Sequence, residues 1–232
     1  MKSIILAATA LAFAAPATAN ILVNGTFETG TYAGWTTNVE AGSSGNVQIE
    51  AYDGSAPISM TGYALNAAGG TYFSITDQGG PGAYSLTQAF TLATTTKVMI
   101  KFDHFATDST GNPIDNGRLY STGANQNAIA DLLTGAADPF TVNGAEILAT
   151  FYGPGADART RVNPWVTYST TLLLAAGTYQ MRFAQADNQG FFQQGVDNVS
   201  VSAVPEPASW AMLITGFGVV GAAARRRRSA IA

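Results

Sequence analysis

The chain has 232 residues, 47% of them hydrophobic, with a formal net charge of −4, one histidine and no cysteine. Disulfides and thiolate metal sites are therefore excluded, and any zinc site or Ser-His-Asp triad would depend wholly on His104. The charge is unevenly spread: residues 20–204 hold 6 basic against 14 acidic side chains, a net −8, which argues against nucleic acid or anionic lipid as a partner of the body and leaves the precursor's tail as the expected membrane contact.

The N-terminus reads as an export signal. Lys2 supplies a small positive region, residues 4–15 are uncharged and largely apolar, and Ala17-Thr18-Ala19 is an A-x-A cleavage site. Cleavage after Ala19 is expected, with the Sec translocon and signal peptidase as partners. A buried core helix would instead carry polar residues on an outer face.

Residues 20–203 read as one β domain. Strands are expected at 47–52, 72–76, 84–91, 96–105, 146–152, 166–174, 177–186 and 195–202, segments rich in Val, Ile, Thr, Tyr and Phe. Gly, Asn, Asp and Pro clusters such as "GSSGN", "QGGPG" and "YGPGAD" separate them. In "KVMIKFDHF" the alternation puts Val98, Ile100, Phe102 and His104 on one face, and "TYQMRFAQ" repeats it with Tyr179, Met181 and Phe183. Short alternating strands predict an antiparallel sandwich with one wet face per sheet. One segment departs from this: in residues 125–137 Ile129, Leu132 and Leu133 fall at helical spacing before Gly135, and a short helix or loop excursion is expected there.

Several side chains invite a chemical reading. The loop "DSTGNPIDNG" offers Asp108, Asn112, Asp115 and Asn116, but Pro113 and Leu119 stand where an EF-hand needs Gly and Glu, so turn chemistry accounts for it. A lone His104 in an alternating strand is expected to be packed and hydrogen-bonded, and no spacing selects a carboxylate pair for glycosidic cleavage. Aromatic residues are the better lead, because sugar rings stack on flat rings with a polar edge. Trp165 after Pro164, beside Arg161 and Asn163, and Tyr152 before "GPG" are the candidate sugar platform; Trp35 reads as core.

At the C-terminus, Pro205-Glu206-Pro207 and Trp210-Ala211-Met212 open an uncharged run at 208–224, followed by Arg225, Arg226, Arg227 and Arg228. The run is at the short limit for a spanning helix, and the arginines would stay on the cytoplasmic side. This tail resembles the PEP-CTERM sorting signal of Gram-negative bacteria in its PEPxxWA variant. The resemblance implies an exosortase partner at the inner membrane, removal of the tail near the PEP motif, release to the envelope or surroundings, and an association with exopolysaccharide.

The body has a resemblance of its own. Its opening "ILVNGTFETGTYAGWT" and its close "GFFQQGVDNVSVS" are similar to the terminal strands of jelly-roll carbohydrate-binding modules and galactose-binding-like sandwiches. That implies an all-β antiparallel jelly-roll β-sandwich between the signal peptide and a hydrophobic sorting helix at 204–232. It also implies a structural Ca2+ held by Glu28 and Asp197, the alternative being ordinary hydrogen bonds for both carboxylates. The expected function is a non-enzymatic, exported envelope or matrix protein that binds polysaccharide; the alternative is an enzyme acting on extracellular polysaccharide.

Overall fold

The computed structural model describes residues 19–51, 67–78, 81–108, 125–152, 165–189 and 192–205, together with 214–218, 220–221 and 225 of the tail. Ten strands follow one another: β1 (Thr36–Val39), β2 (Gly45–Ala51), β3 (Tyr72–Gln78), β4 (Gly82–Leu92), β5 (Thr96–Asp108), β6 (Gln126–Thr134), β7 (Ile147–Tyr152), β8 (Val166–Leu174), β9 (Gly177–Asp187) and β10 (Phe192–Ala203). They form two five-stranded antiparallel sheets. The first has the order β1-β4-β9-β6-β7 and the second β2-β3-β10-β5-β8, so the chain repeatedly crosses between layers, as a jelly-roll sandwich does.

The alternation read in the sequence is what fills the space between the layers. Val98, Ile100 and Phe102 of β5 meet Tyr179, Met181 and Phe183 of β9 in one continuous core, with Phe27 and Trp35 from the opening segment. Phe102 packs edge-on against Phe183 at 5.1 Å, and Trp35 sits 5.5 Å from Phe27. The termini of the body are tied together: Ile21 N–H donates to the Val201 carbonyl at 2.7 Å, and Val199 N–H donates to the Gly25 carbonyl at 2.8 Å. Gly25 is required there, because an added Cβ would stand 1.9 Å from the Val199 oxygen.

Residues 126–134 are a strand, correcting the helix or loop expected at 125–137. The apolar residues fit a helical period only because both faces of β6 are covered, which erases the period of two. Ala128, Ala130 and Leu132 face the core, while Asp131 and Leu133 lie on the outer face and are equally buried. Asp131 registers with Arg182 of β9 and forms a bidentate pair with it, Nε to Oδ1 at 2.8 Å and Nη2 to Oδ2 at 2.5 Å. Arg182 also donates to the carbonyls of Pro139 (3.3 Å) and Thr141 (2.8 Å), which clasps the β6–β7 connection over the sheet. Neither outer face is simply wet: the other sheet buries Phe73, Ile75 and Phe105 on its outside.

The expected signal peptide with Ala17, the loop residues Asn112 to Asn116, Arg161, Asn163, Glu206, Pro207, Trp210, Arg226, Arg227 and Arg228 lie outside the described residues. Among the described residues no helix is long and apolar enough to cross a membrane.

Candidate functional site

The opening turn and β10 bring the two sequence-predicted carboxylates near each other. Asn24, Phe27 and Asn198 all take positive φ (51°, 55° and 52°), so the turn carrying Glu28 and the bulge after Asp197 are both held in left-handed backbone by packing around them. Glu28 Oε1 accepts from the Thr71 and Tyr72 amides at 2.8 and 2.9 Å. Asp197 Oδ1 accepts from the Asn198 amide at 2.7 Å and Oδ2 from Gly69 at 3.3 Å. Across the β10–β5 ladder Asp197 faces Asp103, whose carboxylate accepts from Asn198 Nδ2 at 2.8 Å and from the Thr167 hydroxyl. Burial pushes the Asp197 carboxyl up to about 7; the Asn198 and Gly69 amides partly counter this, and the Asp103 and Glu28 charges add to it. Among the described residues no three His, Asp or Glu side chains converge as a metal cage.

Next to this acidic row on the same outer face lies an aromatic one. Phe105 registers with Gly195, where an added Cβ would stand 1.9 Å from Phe105 Cε1, so only glycine lets the ring lie across the strand. Half-buried Trp165 packs edge-on against Phe105 at 4.6 Å and Phe73 at 5.5 Å. Tyr152 does not join it. Its ring is buried between the layers, 4.3 Å from the His104 ring, so the two residues expected as one platform lie on opposite faces of the second sheet. His104 is packed as expected: Gln194 Nε2 lies 3.0 Å from its Nε2, and complete burial brings its pKa down to about 3, leaving the imidazole neutral.

A further arrangement escaped the sequence reading. Strands β7 and β8 are edge strands, one in each sheet, and between them opens a cleft of about 250 Å3 lined by Ile100, Phe102, Thr150, Phe151, Tyr168 and Thr170, with Ser169. Tyr168 stacks on Phe102 at 5.2 Å and 17°, while Phe151 stands 6.0 Å from the same ring. Burial raises the Tyr168 hydroxyl pKa, so it remains a neutral donor and acceptor. Pairing of two edges from different sheets leaves no local pattern. The only trace was the alternation of "VTYSTTLLL", which sets Tyr168 apart from its neighbours Thr167 and Ser169.

Beyond β10 the chain runs through Val204, whose amide still donates to the Lys97 carbonyl at 2.8 Å, into Pro205. Residues 203–228 match the family profile of the PEP-CTERM protein-sorting motif. The chain carries a PEP-CTERM sorting signal. The PEP-CTERM tail thus begins as the last strand ends, and its described residues Ile214, Phe217 and Val220 are exposed and apolar. The body is similar in strand arrangement to the carbohydrate-binding module TmCBM61, solved with β-1,4-galactotriose (11% identity, 81% of this chain and 100% of that one, TM-score 0.46). It is also similar to the enzymatically active domain of tailspike protein 4 of bacteriophage CBA120 (12% identity, 80% of this chain, 21% of that one, TM-score 0.49). A third likeness is to the K1 cleaved adhesin domain of Lys-gingipain from Porphyromonas gingivalis W83 (17% identity, 78% and 96% covered, TM-score 0.46). No curated protein matches the chain.

Proposed function

We propose that this exported PEP-CTERM protein is held at the inner membrane by its tail, is cut near Pro205 to Pro207 by an exosortase, and is released as a β-sandwich that binds polysaccharide without cleaving it. The observation that carries the binding reading is the cleft between β7 and β8. Its stacked Tyr168 and Phe102 rings and the Phe151 wall offer flat apolar surface for the C–H face of a sugar. Thr170, two residues from Tyr168 on the same side of β8, and the edge residues Thr150 and Ser169 also line the cleft and supply polar groups at its mouth for the sugar's hydroxyls. The non-enzymatic reading is supported by the lining among the described residues, which holds no Asp, Glu or His to serve as acid, base or nucleophile.

Glu28 and Asp197 would hold a structural Ca2+. The residues fit in kind, since both are hard oxygen donors, and a cation there would offset the burial that chiefly raises Asp197 as well as the added repulsion of Asp103 and Glu28. Such an ion would fasten the opening turn to β10.

Affinity electrophoresis and calorimetry of the processed protein against a panel of soluble polysaccharides test the binding. Tyr168→Ala is expected to weaken it about tenfold, or about 1.4 kcal/mol, with Trp165→Ala as the comparison on the other face. Absence of binding across the panel, or equal binding by Tyr168→Ala, refutes the cleft. Release of reducing ends by the wild type refutes the non-enzymatic reading in favour of a polysaccharide-cleaving enzyme.

A further inference from the structure

We infer that the outer face of the second sheet, at the end where the tail leaves, is a lipid-facing surface that seats the precursor on an anionic bilayer through Lys97, Lys101, Met99 and Leu173. The inference rests on the proposed membrane insertion of the tail.

The first observation is the length of the tether. Strand β10 ends at Ala203 and the apolar run begins at residue 208, so five residue steps, at most about 18 Å of extended chain, separate the sandwich from the membrane-bound segment. Strand β5, at 13 residues, is about 44 Å long. A body on a leash less than half its own length is held within contact range of the surface. The N-terminal junction is at the same end, because Asn20, the residue after the expected signal cleavage, bridges to Ser202. Both apolar segments of the precursor therefore leave the sandwich side by side.

The second observation is which face meets the lipid. Odd-numbered residues of β5 point outward from the second sheet, and Lys97 registers with Leu173 while Met99 registers with Ser202. Leu173 is 72% exposed, the largest exposure among the large hydrophobics of the described sandwich residues, and Met99 is 37% exposed. Lys97 and Lys101 are the only lysines in residues 20–204, and both are exposed and flank Met99. A body of net charge −8 thus places both of its lysines around an apolar pair, two strand spacings or about 10 Å from the point where the tail departs. The tips beside it, Ala93 to Thr95 and Ala175 to Ala176, carry no charge. On the outer face itself Asp103 lies two residues beyond Lys101 on β5, away from the tail end, facing Asp197 and hydrogen-bonded to Thr167 and Asn198, whereas the acidic Asp138 and Glu146 belong to the connection that covers the opposite sheet. Charge complementarity and apolar contact point to one occupant, a bilayer rich in anionic lipid. Asp103 stands about 7 Å from Lys101 along β5 and offsets part of its charge, Lys97 at the tail end is farther from it, and repulsion from acidic groups beyond about 8–10 Å is screened at physiological salt.

Because the chain has no cysteine, single-cysteine variants of the full-length precursor label cleanly. Leu173→Cys, Val142→Cys on the opposite sheet's covering loop, and Ile214→Cys in the tail would each carry an environment-sensitive fluorophore. The proteins are reconstituted in vesicles of phosphatidylcholine with or without phosphatidylglycerol, and quenching by spin-labelled lipid is read. The expected result is quenching at 214 in both vesicle types, at 173 only with phosphatidylglycerol, and at 142 in neither. Lys97→Gln with Lys101→Gln, at about fivefold per lysine, should shift the docking equilibrium about 25-fold and abolish quenching at 173 while sparing 214. Quenching at 214 without quenching at 173 overturns the surface and leaves the tail reading standing. Quenching at 173 alone upholds the surface and overturns the tail reading; quenching at neither overturns both. Signal at 173 that is independent of phosphatidylglycerol and of the lysines overturns the electrostatic seat, as does a dimer that buries Leu173 in detergent and persists on vesicles.

Discussion

Replacing Asp197 with Asn should alter how stability depends on pH, because Asp197 and His104 titrate with opposite sign. The Asp197 carboxyl is raised from 3.8 to about 7 in the folded protein. Between those values the folded state holds a proton that the unfolded state has lost, so stability falls as pH rises, by about 1.4 kcal/mol per unit and roughly 4 kcal/mol in all. His104 is lowered from 6.5 to about 3. Over that window the unfolded state holds the extra proton, and stability rises with pH at the same slope. In the metal-free wild type the two limbs offset each other from about pH 4 to about pH 6.5. Asp197→Asn removes the falling limb and exposes the rising one, so its stability relative to wild type should grow from about zero near pH 4 to roughly 4 kcal/mol above pH 7. Bound Ca2+ should act like the substitution, since a cation holds Asp197 ionised. Urea unfolding of the processed protein across this range, with chelator and with calcium, measures both effects. A difference between variant and wild type that is flat with pH in chelator would refute the buried, proton-holding Asp197; identical profiles with and without calcium would refute its sharing a cation.

Asp131→Ala leaves Arg182 charged and buried with carbonyl acceptors alone; calorimetry should show a loss of about 3–5 kcal/mol, near 10 °C in melting temperature, largely restored by adding Arg182→Met. Gly195→Ala drives a methyl into the Phe105 ring and should cost about 1–3 kcal/mol while changing the near-ultraviolet circular dichroism contributed by Trp165. Intact mass of the native protein should show a chain that starts at Asn20 and lacks Trp210 onward. Replacing Arg225, Arg226, Arg227 and Arg228 with Gln removes a barrier of about 2.5–3.5 kcal/mol per residue to translocation and should deplete membrane-held precursor, whereas Pro205→Ala with Pro207→Ala should accumulate it, as judged by fractionation and immunoblotting.

What the sequence determined by itself is what depends on local pattern. The Pro-Glu-Pro, apolar run and arginine block are contiguous and act without the fold, so the sorting signal was legible as a string. Most strands were legible too, because Val98, Ile100 and Phe102 or Tyr179, Met181 and Phe183 alternate against polar neighbours whenever one face is left open. Residues 126–134 were misread because their two faces are both buried, one by the core and one by a connection that Arg182 pins from another strand, and a segment buried on both sides carries no period of two. Tertiary structure alone decided which chemistry is shared. Trp165 and Tyr152 are 13 positions apart yet lie on opposite faces of one sheet. Glu28 and Asp197 are 169 positions apart yet the charge of one bears on the titration of the other. The β7–β8 cleft and the Lys97 to Leu173 surface exist only because strands distant in the chain become neighbours at an edge, and nothing in either strand's own composition encodes which partner it will face.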